Sequence, residues 1–560
     1  MALVPVVQNH CHGQSNAFHI RLPFRLSGLS EASCGAGVGG TGWPCHDEAM
    51  KVPLTVRDHL DRAMVVYPDR VAFVDEPDQP APSMGEVTFS RLGELSDATG
   101  AGLDALGVPM GARVAMVSHN AGRLLTCFWG VSGNGRIFVP VNFRLSLDEV
   151  SYIVDHCGAD VLLVDPELAQ TLAPIECRHK FVLGAESDEA LFRFGETPQP
   201  WEPDEDETAV INYTSGTTAR PKGVQQTHRS LWLNAAMFGW QASVSDRDVY
   251  LHTLPMFHCN GWGMPYAQVG MGTRQVVLRK VDGAEILRRV DAHGVTIMCG
   301  APAVVAAILD AAAQWDGPIP GAGRTRIVVA GAPPPTRTIE RVETELGWEF
   351  IQIYGLTETA PLLTMNRGRT EWDHLSPAER ARMLSRQGAP ALGVRMKVDA
   401  SGEFLARCNH VLEGYWEQPE ATAEAIVDGW FHTGDGGYLD DDGYYMITDR
   451  KKDVIISGGE NVSSIEVEDA LFSHPAVAEV AVIGVPHEKW GETVKALVVL
   501  APGSSATPGE LIDHCRERIA HYKCPTSVEM RDELARTATG KLQKFKLRAP
   551  YWEGMTKAVN

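Results

Sequence analysis

The sequence predicts an α/β protein in which helices cover largely parallel β-sheets, followed by a smaller α+β unit. Helix-like and strand-like segments alternate along most of the chain, which is typical of parallel sheets with helical crossovers. The 560 residues are 44% hydrophobic, which is enough for large cores and for two to four folding units. Past Arg450 the alternation gives way to a compact mixture of short helices and strands.

The alternating elements fill most of the chain before Arg450. An uncharged stretch at 294–309 is interrupted by Gly300 and Pro302 and is too short to span a bilayer, so it predicts a buried strand, a turn and a helix start. Periodicity predicts helices over residues 55–67, 148–156 and 336–346, and strands over 113–118, 160–164, 326–330 and 349–353.

A polar insert between residues 366 and 388 predicts a helix of its own. Ser376, Pro377 and Glu379 form a capping box with proline at the first helical position, and Gly388 is expected to end the helix. Further on we predict a helix over 464–472, strands over 477–485 and 494–500, and a second capping box at Thr507 and Glu510.

The chain is expected to divide into three regions. Residues 1–49 hold a glycine-rich run without periodic apolar residues, so we expect a disordered extension, or a start of translation placed too early. They lack the basic start and apolar core of a secretory signal. Residues 50–449 are expected to form a large N-terminal domain, and residues 450–560 a small C-terminal domain.

Charge and cysteine content narrow the class of protein. The net charge is −21, from 71 acidic and 50 basic residues, whereas a nucleic-acid-binding surface needs a basic face. The 11 cysteines are scattered without a CxxC pair, so neither a disulfide framework nor a zinc site is expected. A protein of the reducing cytoplasm with no transmembrane segment is the simplest expectation, and a homodimer is compatible with the sequence.

A tract rich in hydroxyls, glycines and cations occupies residues 213–224, directly after a short strand-like segment. Its glycines allow a polyphosphate to approach the backbone, its hydroxyls can donate to phosphate oxygens, and Arg220 and Lys222 can offset the charge. It is not a Walker A loop, because Gly216 is followed five positions later by Pro221. Taken alone, the tract is equally compatible with a flexible surface turn.

Two carboxylates and a lysine further along the chain fit the same chemistry. Glu358 follows a tight Tyr-Gly turn, where a carboxylate can bind Mg²⁺ beside a triphosphate or begin a helix. Asp435 lies in a Gly-Asp turn, where it can accept hydrogen bonds from two ribose hydroxyls or form an ordinary Asx turn. Lys541 can hold a carboxylate and an α-phosphate together, or be a solvated lysine of a Lys-rich tail.

Six motifs follow one another along the chain in a familiar order. They are residues 213–224, Leu-Pro-Met-Phe-His at 254–258, Tyr-Gly-Leu-Thr-Glu-Thr at 354–359, Thr-Gly-Asp at 433–435, Asp-Arg-Lys-Lys-Asp at 449–453 and Arg-Thr-Ala-Thr-Gly-Lys at 536–541. Together they resemble the adenylate-forming superfamily, which contains acyl-CoA synthetases, beetle luciferases and peptide-synthetase adenylation domains. The resemblance spans residues 54–552 and implies ATP, Mg²⁺ and coenzyme A as substrates and cofactors.

The resemblance also implies roles for individual residues. Lys541, Glu358 and His258 are expected to act in catalysis, His258 as a wall or gate of the carboxylate pocket. Glu358 and Thr214 are expected to hold Mg²⁺, and Asp435 the ribose. The other expected contacts to ATP or CoA are Ser215, Gly216, Thr217, Thr218, Lys222, Gly331, Ala332, Pro333, Tyr354, Gly355, Thr357, Arg450, Lys452, Ser457, Gly458 and Gly459.

Lys452 occupies the family's hinge position, at 450–453. The resemblance implies that the small domain is mobile and turns about this hinge between two poses. One pose delivers Lys541 for adenylation, and the other delivers residues 457–460 to the pantetheine arm of CoA. By composition alone, the hinge segment also fits an exposed run of charges. Tyr354 is expected to stack on the adenine.

The identity of the acid is less constrained. Amino-acid-activating relatives carry an aspartate where this chain has His258 and Cys259, which favours an unsubstituted aliphatic or aryl acid. The sequence around Cys259 shows no pattern of a general base and an orienting residue, so Cys259 is not expected to act as a nucleophile. One branch of the superfamily has segments similar to those at residues 371–373, 384–388 and 454–461. This branch contains medium-chain acyl-CoA ligases, plant acyl-activating enzymes and methylmercaptopropionate-CoA ligases. We expect a short- to medium-chain fatty acid, with a pocket formed by His258, Trp262, Cys299, Ala301 and Gly331.

Several other functions remain open at this point. They are a methylmercaptopropionate- or aryl-acid-CoA ligase, an acyl-AMP ligase that loads a carrier protein, a luciferase-like oxidase and a non-catalytic nucleotide-binding module. The presence of Lys541, Glu358 and Asp435 argues against the last of these. Ala219 and Ala535 stand where the family usually has Gly and Pro, but neither change removes a charged or coordinating group.

Overall fold

The computed structural model describes six stretches of the chain, residues 52–214, 220–450, 454–457, 460–487, 490–536 and 542–553. The predicted N-terminal extension and residues 451–453 of the predicted hinge lie outside these stretches. None of the helices in the described residues combines the length and the apolar character needed to cross a membrane.

The strands of the described residues, in chain order, are β1 (Val71–Val74), β2 (Glu86–Thr88), β3 (Arg113–Val117), β4 (Ile137–Val141), β5 (Ala159–Val164), β6 (His179–Val182), β7 (Thr208–Thr214), β8 (Lys222–Thr227), β9 (Val249–His252), β10 (Arg274–Val277), β11 (Ile297–Gly300), β12 (Arg326–Val329) and β13 (Glu349–Gly355). They continue with β14 (Leu362–Arg367), β15 (Ala389–Pro390), β16 (Arg395–Val398), β17 (Glu403–Arg407), β18 (Gly414–Tyr415), β19 (Ile426–Val427), β20 (Trp430–Leu439), β21 (Tyr445–Arg450), β22 (Ile455–Ser457), β23 (Glu460–Val462), β24 (Val477–His487), β25 (Gly491–Leu500) and β26 (Ser527–Met530).

The helices of the same residues are α1 (Arg57–Val66), α2 (Phe89–Ala105), α3 (Gly122–Gly130), α4 (Leu147–Cys157), α5 (Ala185–Leu191), α6 (His228–Gln241), α7 (Cys259–Trp262), α8 (Met264–Met271), α9 (Gly283–His293), α10 (Pro302–Ala312), α11 (Thr336–Arg341), α12 (Pro377–Leu384), α13 (Pro419–Ala425), α14 (Ser464–Phe472), α15 (Pro508–Arg516) and α16 (Lys544–Arg548). A π-helical turn, Val342–Leu346, follows α11 directly.

Helix α4 shows how the sequence determines the local structure. Ser146 and Glu149 form a capping box in which each side chain accepts from the other's backbone N–H. Val150, Val154 and their apolar neighbours at helical spacing are buried against the sheet. The helix ends at Gly158, whose φ of 59° suits a residue without a Cβ. The capping box, the buried apolar positions and the terminating glycine all agree with the sequence pattern. The helix predicted over 148–156 is confirmed.

Two large, mostly parallel sheets make up the bulk of the fold. The nine-stranded sheet has the order β15-β14-β13-β12-β11-β9-β10-β1-β2, and its strands from β13 to β1 run parallel. The seven-stranded sheet has the order β18-β8-β7-β4-β3-β5-β6 and is parallel from β7 to β6. The antiparallel strands of both sheets lie at their ends. This arrangement confirms the predicted fold class.

Two smaller sheets follow. Strands β16-β17-β20-β19 form one of them, with β21 also paired to β20. Strands β23-β22-β25-β24 form the other, with β26 added in parallel to β25. Helices α14 and α15 pack on this last sheet around a core of its own. The final part of the chain is therefore the α+β unit that the sequence predicts.

A buried ion pair ties the two large sheets together. Arg279 follows β10 of the nine-stranded sheet, and Asp165 follows β5 of the seven-stranded sheet. The Arg279 guanidinium donates to both oxygens of Asp165, at 2.9 and 2.9 Å, and the Ser118 hydroxyl also donates to this carboxylate. Both charged side chains are almost fully buried, so each compensates part of the cost of burying the other's charge.

Adjacent parallel strands place several of the predicted motifs at one edge of the nine-stranded sheet. Strands β9, β11, β12 and β13 are neighbours, and the chain leaves each at its carboxyl end. The turns that follow these four strands therefore lie side by side. Ligands of open α/β sheets bind in such a crevice.

The prediction that Gly388 ends the insert helix is wrong. Helix α12 ends at Leu384, and Ser385 is its last capping residue. Gly388 instead forms a bridge with Tyr445, at a φ of 102°. A Cβ at this position would come within 2.3 Å of the Met365 carbonyl oxygen, so glycine is required for close backbone approach.

Removing the cap of α12 is expected to loosen this helix by about 1 kcal/mol. The Ser376 hydroxyl accepts from the Glu379 N–H, and the Glu379 carboxylate accepts from the Ser376 N–H at 2.8 Å. In Ser376→Ala, amide hydrogen exchange in the first turn of α12 should therefore become faster. Ser376→Asp keeps an acceptor and should exchange as the wild type does. Unchanged exchange in the alanine variant would contradict the capping role.

Candidate active site

The described ends of the tract at 213–224 lie on the antiparallel strands β7 and β8. Thr214 is the last residue of β7 and pairs with Lys222, the first residue of β8. The Tyr213 hydroxyl forms a 2.8 Å hydrogen bond with Nδ1 of His156 on α4, and burial raises the pKa of Tyr213. The hairpin thus brings the predicted metal-binding hydroxyl and the predicted phosphate-binding lysine to the same end of two paired strands.

Glu358 lies in the short turn Thr357–Thr359 after β13. Its Oε1 accepts a 3.0 Å hydrogen bond from the Tyr415 hydroxyl, and burial, together with the charge of Glu358, raises the pKa of Tyr415. The Lys222 ammonium lies 4.7 Å from the centre of the Tyr415 ring. Tyr415 therefore links the predicted magnesium ligand to the predicted phosphate ligand. Sequence reasoning missed Tyr415 because the residue belongs to no recognised motif.

The donor set around Glu358 fits a Mg²⁺ ion that is bound together with phosphate. Mg²⁺ commonly takes one or two protein carboxylates and completes its octahedron with waters and phosphate oxygens. Glu358 would supply one carboxylate, and Thr214, which pairs with Lys222, would supply a hydroxyl. Over the described stretches, no group of three or more His, Cys, Asp or Glu side chains could hold a metal by itself. This arrangement suits a metal that arrives with a nucleotide.

Tyr354 and Asp435 come together across two sheets. The Tyr354 hydroxyl, at the end of β13, donates to Oδ2 of Asp435 on β20 at 2.9 Å. Both residues are buried, and the Tyr354 ring packs edge-on against Phe404 at 6.0 Å. Asp435 also faces Arg450 in the β20–β21 pairing. The two side chains predicted to contact adenine and ribose are therefore direct neighbours, and the hydrogen bond fixes the carboxylate.

The segment that follows β9 contains an uncommon backbone turn. Helix α7 is a single left-handed turn in which Cys259, Asn260, Gly261 and Trp262 have φ angles of 45°, 52°, 58° and 63°. Left-handed geometry costs about 1–2 kcal/mol for each residue with a side chain, so the surrounding contacts must hold it in place. We call the residues Phe257–Gly263 the pocket turn. Trp262 is buried there, and His258 is half-buried.

The other predicted pocket residues lie on neighbouring strands. Cys299 is buried on β11, and burial raises the pKa of its thiol to about 12. Ala301 precedes α10, and Gly331 follows β12 with a φ of 91°. Burial also raises the pKa of the Cys259 thiol to about 12, so this thiol stays protonated near neutral pH, in agreement with the absence of a nucleophile. None of the predicted pocket residues is a carboxylate, and they lie at the ends of neighbouring strands of one sheet.

Several predicted site residues cannot be placed. Ser215, Gly216, Thr217, Thr218, Lys452, Gly458, Gly459 and Lys541 lie outside the described residues. Ser457, on β22, pairs with Glu460 and with Gly491 of β25. Ala332 and Pro333 continue the turn after β12, and Gly355 and Thr357 flank the start of the Glu358 turn. Their contacts with nucleotide or CoA stay predictions.

Two family models match this chain. A family model described as AMP-binding enzyme matches residues 60–416, and one described as AMP-binding enzyme C-terminal domain matches residues 466–541. The chain belongs to the AMP-binding enzyme family. The first match contains β7 and β8, the pocket turn and Glu358, and the second match ends at Lys541.

Proteins similar to this AMP-binding enzyme include CoA ligases. The chain is 37% identical to a 2-methylpropanoate–CoA ligase of Humulus lupulus over 89% of its own length and 95% of the relative's. It is 38% identical to a 4-hydroxybutyrate–CoA ligase of Metallosphaera sedula over 78% and 84% of the two chains. The o-succinylbenzoate CoA synthetase of Bacillus subtilis, solved with its acyl-adenylate, superposes with a TM-score of 0.74 at 28% identity, over 88% and 98%. The enzyme is an AMP-forming acid–CoA ligase that uses ATP, Mg²⁺ and CoA.

Proposed function

We propose that this AMP-binding enzyme converts short- to medium-chain fatty acids to their CoA thioesters, with the pocket turn holding the acid. The observation that carries the proposal is that residues 257–263 include no carboxylate. His258 and Cys259 stand where a carboxylate for a substrate ammonium would be needed, and the Cys259 thiol stays protonated. Two similar CoA ligases support a small acid, because 2-methylpropanoate and 4-hydroxybutyrate each contain four carbon atoms.

In the first half-reaction, the substrate carboxylate attacks the α-phosphorus of ATP. A bond forms between the carboxylate oxygen and phosphorus, and pyrophosphate leaves. Mg²⁺, held by Glu358 and Thr214, offsets phosphate charge when bound, and Lys222 adds a second positive group. Asp435 accepts hydrogen bonds from the ribose, and Tyr354 stacks on the adenine. Lys541 holds the carboxylate and the α-phosphate together.

In the second half-reaction, the thiol of CoA attacks the acyl carbon. A carbon–sulfur bond forms, the carbon–oxygen bond to AMP breaks, and the thiol proton passes to solvent. Ser457, Gly458 and Gly459 leave room for the pantetheine arm, and His258 gates its access to the acyl group. Activation is needed because a carboxylate is a poor electrophile, whereas AMP is a good leaving group.

The division into domains is part of the proposal. Residues 50–449 form the adenylation domain, and residues 450–560 form a mobile domain that turns about 450–453. The separate core of the sheet from β22 to β26 supports this boundary. Thr336, after β12, donates from its N–H to Asp469 on α14 at 2.9 Å, which is the kind of contact that a rotation of the small domain would exchange.

The proposal also covers the cellular location and the oligomeric state of the enzyme. The eight cysteines among the described residues are free thiols, which suits the reducing cytoplasm. The enzyme is proposed to act there as a homodimer. Exposed apolar side chains such as Val65 on α1 and Met271 on α8 are the kind of surface that association buries. Sedimentation analysis of the purified protein tests the dimer directly.

The experiment that tests the function measures pyrophosphate and acyl-CoA by mass spectrometry. The acids run from acetate to tetradecanoate, with methylthio and aryl acids beside them. A CoA-dependent thioester with an optimum among short to medium chains is the expected result. An optimum at a methylthio or aryl acid would replace the substrate class, and acyl-adenylate without thioester would indicate a carrier-loading ligase. No pyrophosphate with any acid would leave only a nucleotide-binding module.

Trp262→Ala is expected to shift the preference towards longer acids. Trp262 is a large buried side chain in the pocket turn, and its removal makes room for further methylenes. The ratio of kcat/KM for the longest accepted acid to that for the shortest should rise about 10-fold. Trp240→Ala is the matched control, because Trp240 lies 69% exposed on α6. An unchanged chain-length preference in Trp262→Ala would remove Trp262 from the pocket wall.

A further inference from the structure

A continuous run of buried side-chain amides connects the pocket turn to the Glu358 turn. Asn212 Nδ2 donates to Asn260 Oδ1 at 3.3 Å, and Asn260 Nδ2 donates to Gln226 Oε1 at 2.6 Å. Gln226 Nε2 then donates to the carbonyl oxygen of Thr357 at 2.8 Å, directly before Glu358. We call Asn212, Asn260 and Gln226 the amide chain. Each of the three is at most 1% exposed.

The amide chain starts and ends on elements that the reaction uses. Asn212 lies on β7, two residues before Thr214, and its Nδ2 also donates to the Phe257 carbonyl at 3.2 Å. Gln226 lies on β8, the strand that begins with Lys222. One set of hydrogen bonds therefore joins the hairpin at 213–224, the pocket turn and the Glu358 turn.

A further amide closes the other end of the pocket turn. Asn234 on α6 donates from Nδ2 to the Trp262 carbonyl at 3.2 Å and accepts from the Leu362 N–H at 3.2 Å. The left-handed turn is thus fastened at Phe257, Asn260 and Trp262. These contacts explain how a run of positive φ angles persists.

The strength of the amide chain comes from its burial. Hydrogen bonds are electrostatically stronger in a low-dielectric interior, and a chain of them polarises its members. Removing one amide leaves its buried partners unpaired, which costs more than the hydrogen bond contributed. Gln226 lies between the two turns: its Oε1 accepts from Asn260, and its Nε2 donates to Thr357 and lies 3.7 Å from the Cys259 sulfur. Gln226 and Asn260 therefore help to fix the separation of the pocket turn from the Glu358 turn.

We propose that Gln226 and Asn260 are positioning residues that fix the acid relative to the metal-bound nucleotide in the adenylation step. The inference rests on the proposed function, because the pocket turn must hold the acid. Adenylation needs two separate ligands aligned to within a fraction of an ångström. The thioester step starts from one acyl-adenylate that already spans both turns, so it depends less on their separation.

Gln226→Met tests this difference, because methionine keeps the length and bulk but makes neither amide hydrogen bond. Pyrophosphate release with acid and ATP should fall about 10-fold. Thioester formation from synthetic acyl-adenylate and CoA should stay within about twofold of the wild type. A merely structural role would lower both half-reactions together, in proportion to the loss of folded protein.

Asn260→Gly is the second variant, in case Gln226→Met does not fold. Asn260 has φ 52° and ψ 38°, a conformation that glycine adopts without strain. The variant therefore removes the amide and leaves the backbone of the pocket turn unforced. It should show the same imbalance between the two half-reactions.

Gln275→Met is the matched control. Gln275 is a fully buried amide on β10 whose side chain bonds to His252 at 2.9 Å, outside the amide chain. This variant should change the rates of pyrophosphate release and thioester formation by the same factor. The inference would be overturned if Gln226→Met and Asn260→Gly each slowed adenylation and thioester formation by the same factor. It would also be overturned if neither variant slowed adenylation. A wild-type enzyme that releases no pyrophosphate with any acid would instead overturn the proposed function.

Discussion

Glu358→Gln is expected to lower the rate of pyrophosphate release about 1,000-fold, the largest effect among these substitutions. Glutamine keeps the shape of the side chain and can still accept from the Tyr415 hydroxyl. It loses the negative charge that a hard divalent cation requires. The loss should fall on kcat, because the metal stabilises charge that develops as the carboxylate attacks and pyrophosphate leaves.

Two further variants separate the effect of the Glu358 charge on the rate from the effects of neighbouring groups. Tyr415→Phe removes only the hydroxyl that orients the carboxylate, so pyrophosphate release should fall about 10-fold. Glu413→Gln changes an exposed carboxylate on the same segment and should have no effect. A Mg²⁺ titration of each variant gives the apparent metal affinity, which should fall for Glu358→Gln alone by more than about 10-fold. Wild-type turnover in Glu358→Gln would show that another group holds the metal.

The sequence predicts those parts of the fold that depend on local patterns. Apolar spacing and capping residues identify helix α4, and the capping box at Ser376 marks the start of α12. Such signals are carried by residues three or four positions apart, so they can be read without knowing the fold. The end of α12 was mispredicted because Gly388 serves a contact with Met365, on a different element.

The parts of the site that escaped prediction depend on distant pairs. Gln226 and Thr357 are 131 positions apart, and Tyr415 and Glu358 are 57 apart. A single buried glutamine or tyrosine has no recognisable pattern around it, so only the packing of strands reveals its partner. The left-handed turn at Cys259 was missed for a related reason. Its backbone is determined by amides from β7, β8 and α6 rather than by its own residues.

These distant contacts connect the separate segments that form the site. The Glu358 turn and the pocket turn follow strands of one sheet, Thr214 and Lys222 lie on paired strands of the second, and Asp435 lies on a third. Tyr415 joins Lys222 to Glu358, and the amide chain joins Glu358's turn to the pocket turn. Substitutions that break these links should therefore change the alignment of substrates more than their binding.

Asp435→Ala is expected to lower kcat/KM for ATP about 100-fold. The substitution removes the acceptor proposed for the ribose hydroxyls and also leaves the buried Tyr354 hydroxyl without the carboxylate to which it donates. Tyr354→Phe removes only that hydroxyl and keeps both the ring and the carboxylate, so it should cost about 5-fold. Initial rates of pyrophosphate release at varied ATP give both values.

The choice of nucleotide distinguishes ribose recognition from loss of structure. The wild-type enzyme should prefer ATP to its 2′- and 3′-deoxy analogues, because each analogue lacks one of the two hydroxyls that Asp435 is proposed to bind. Asp435→Ala should lose this preference, whereas Tyr354→Phe should keep it. Asp441→Ala changes an exposed carboxylate on the same hairpin and should leave both rate and preference unaltered. If Asp435→Ala still discriminated among the three nucleotides, the buried carboxylate would serve to hold Tyr354, and the ribose would have to be bound elsewhere.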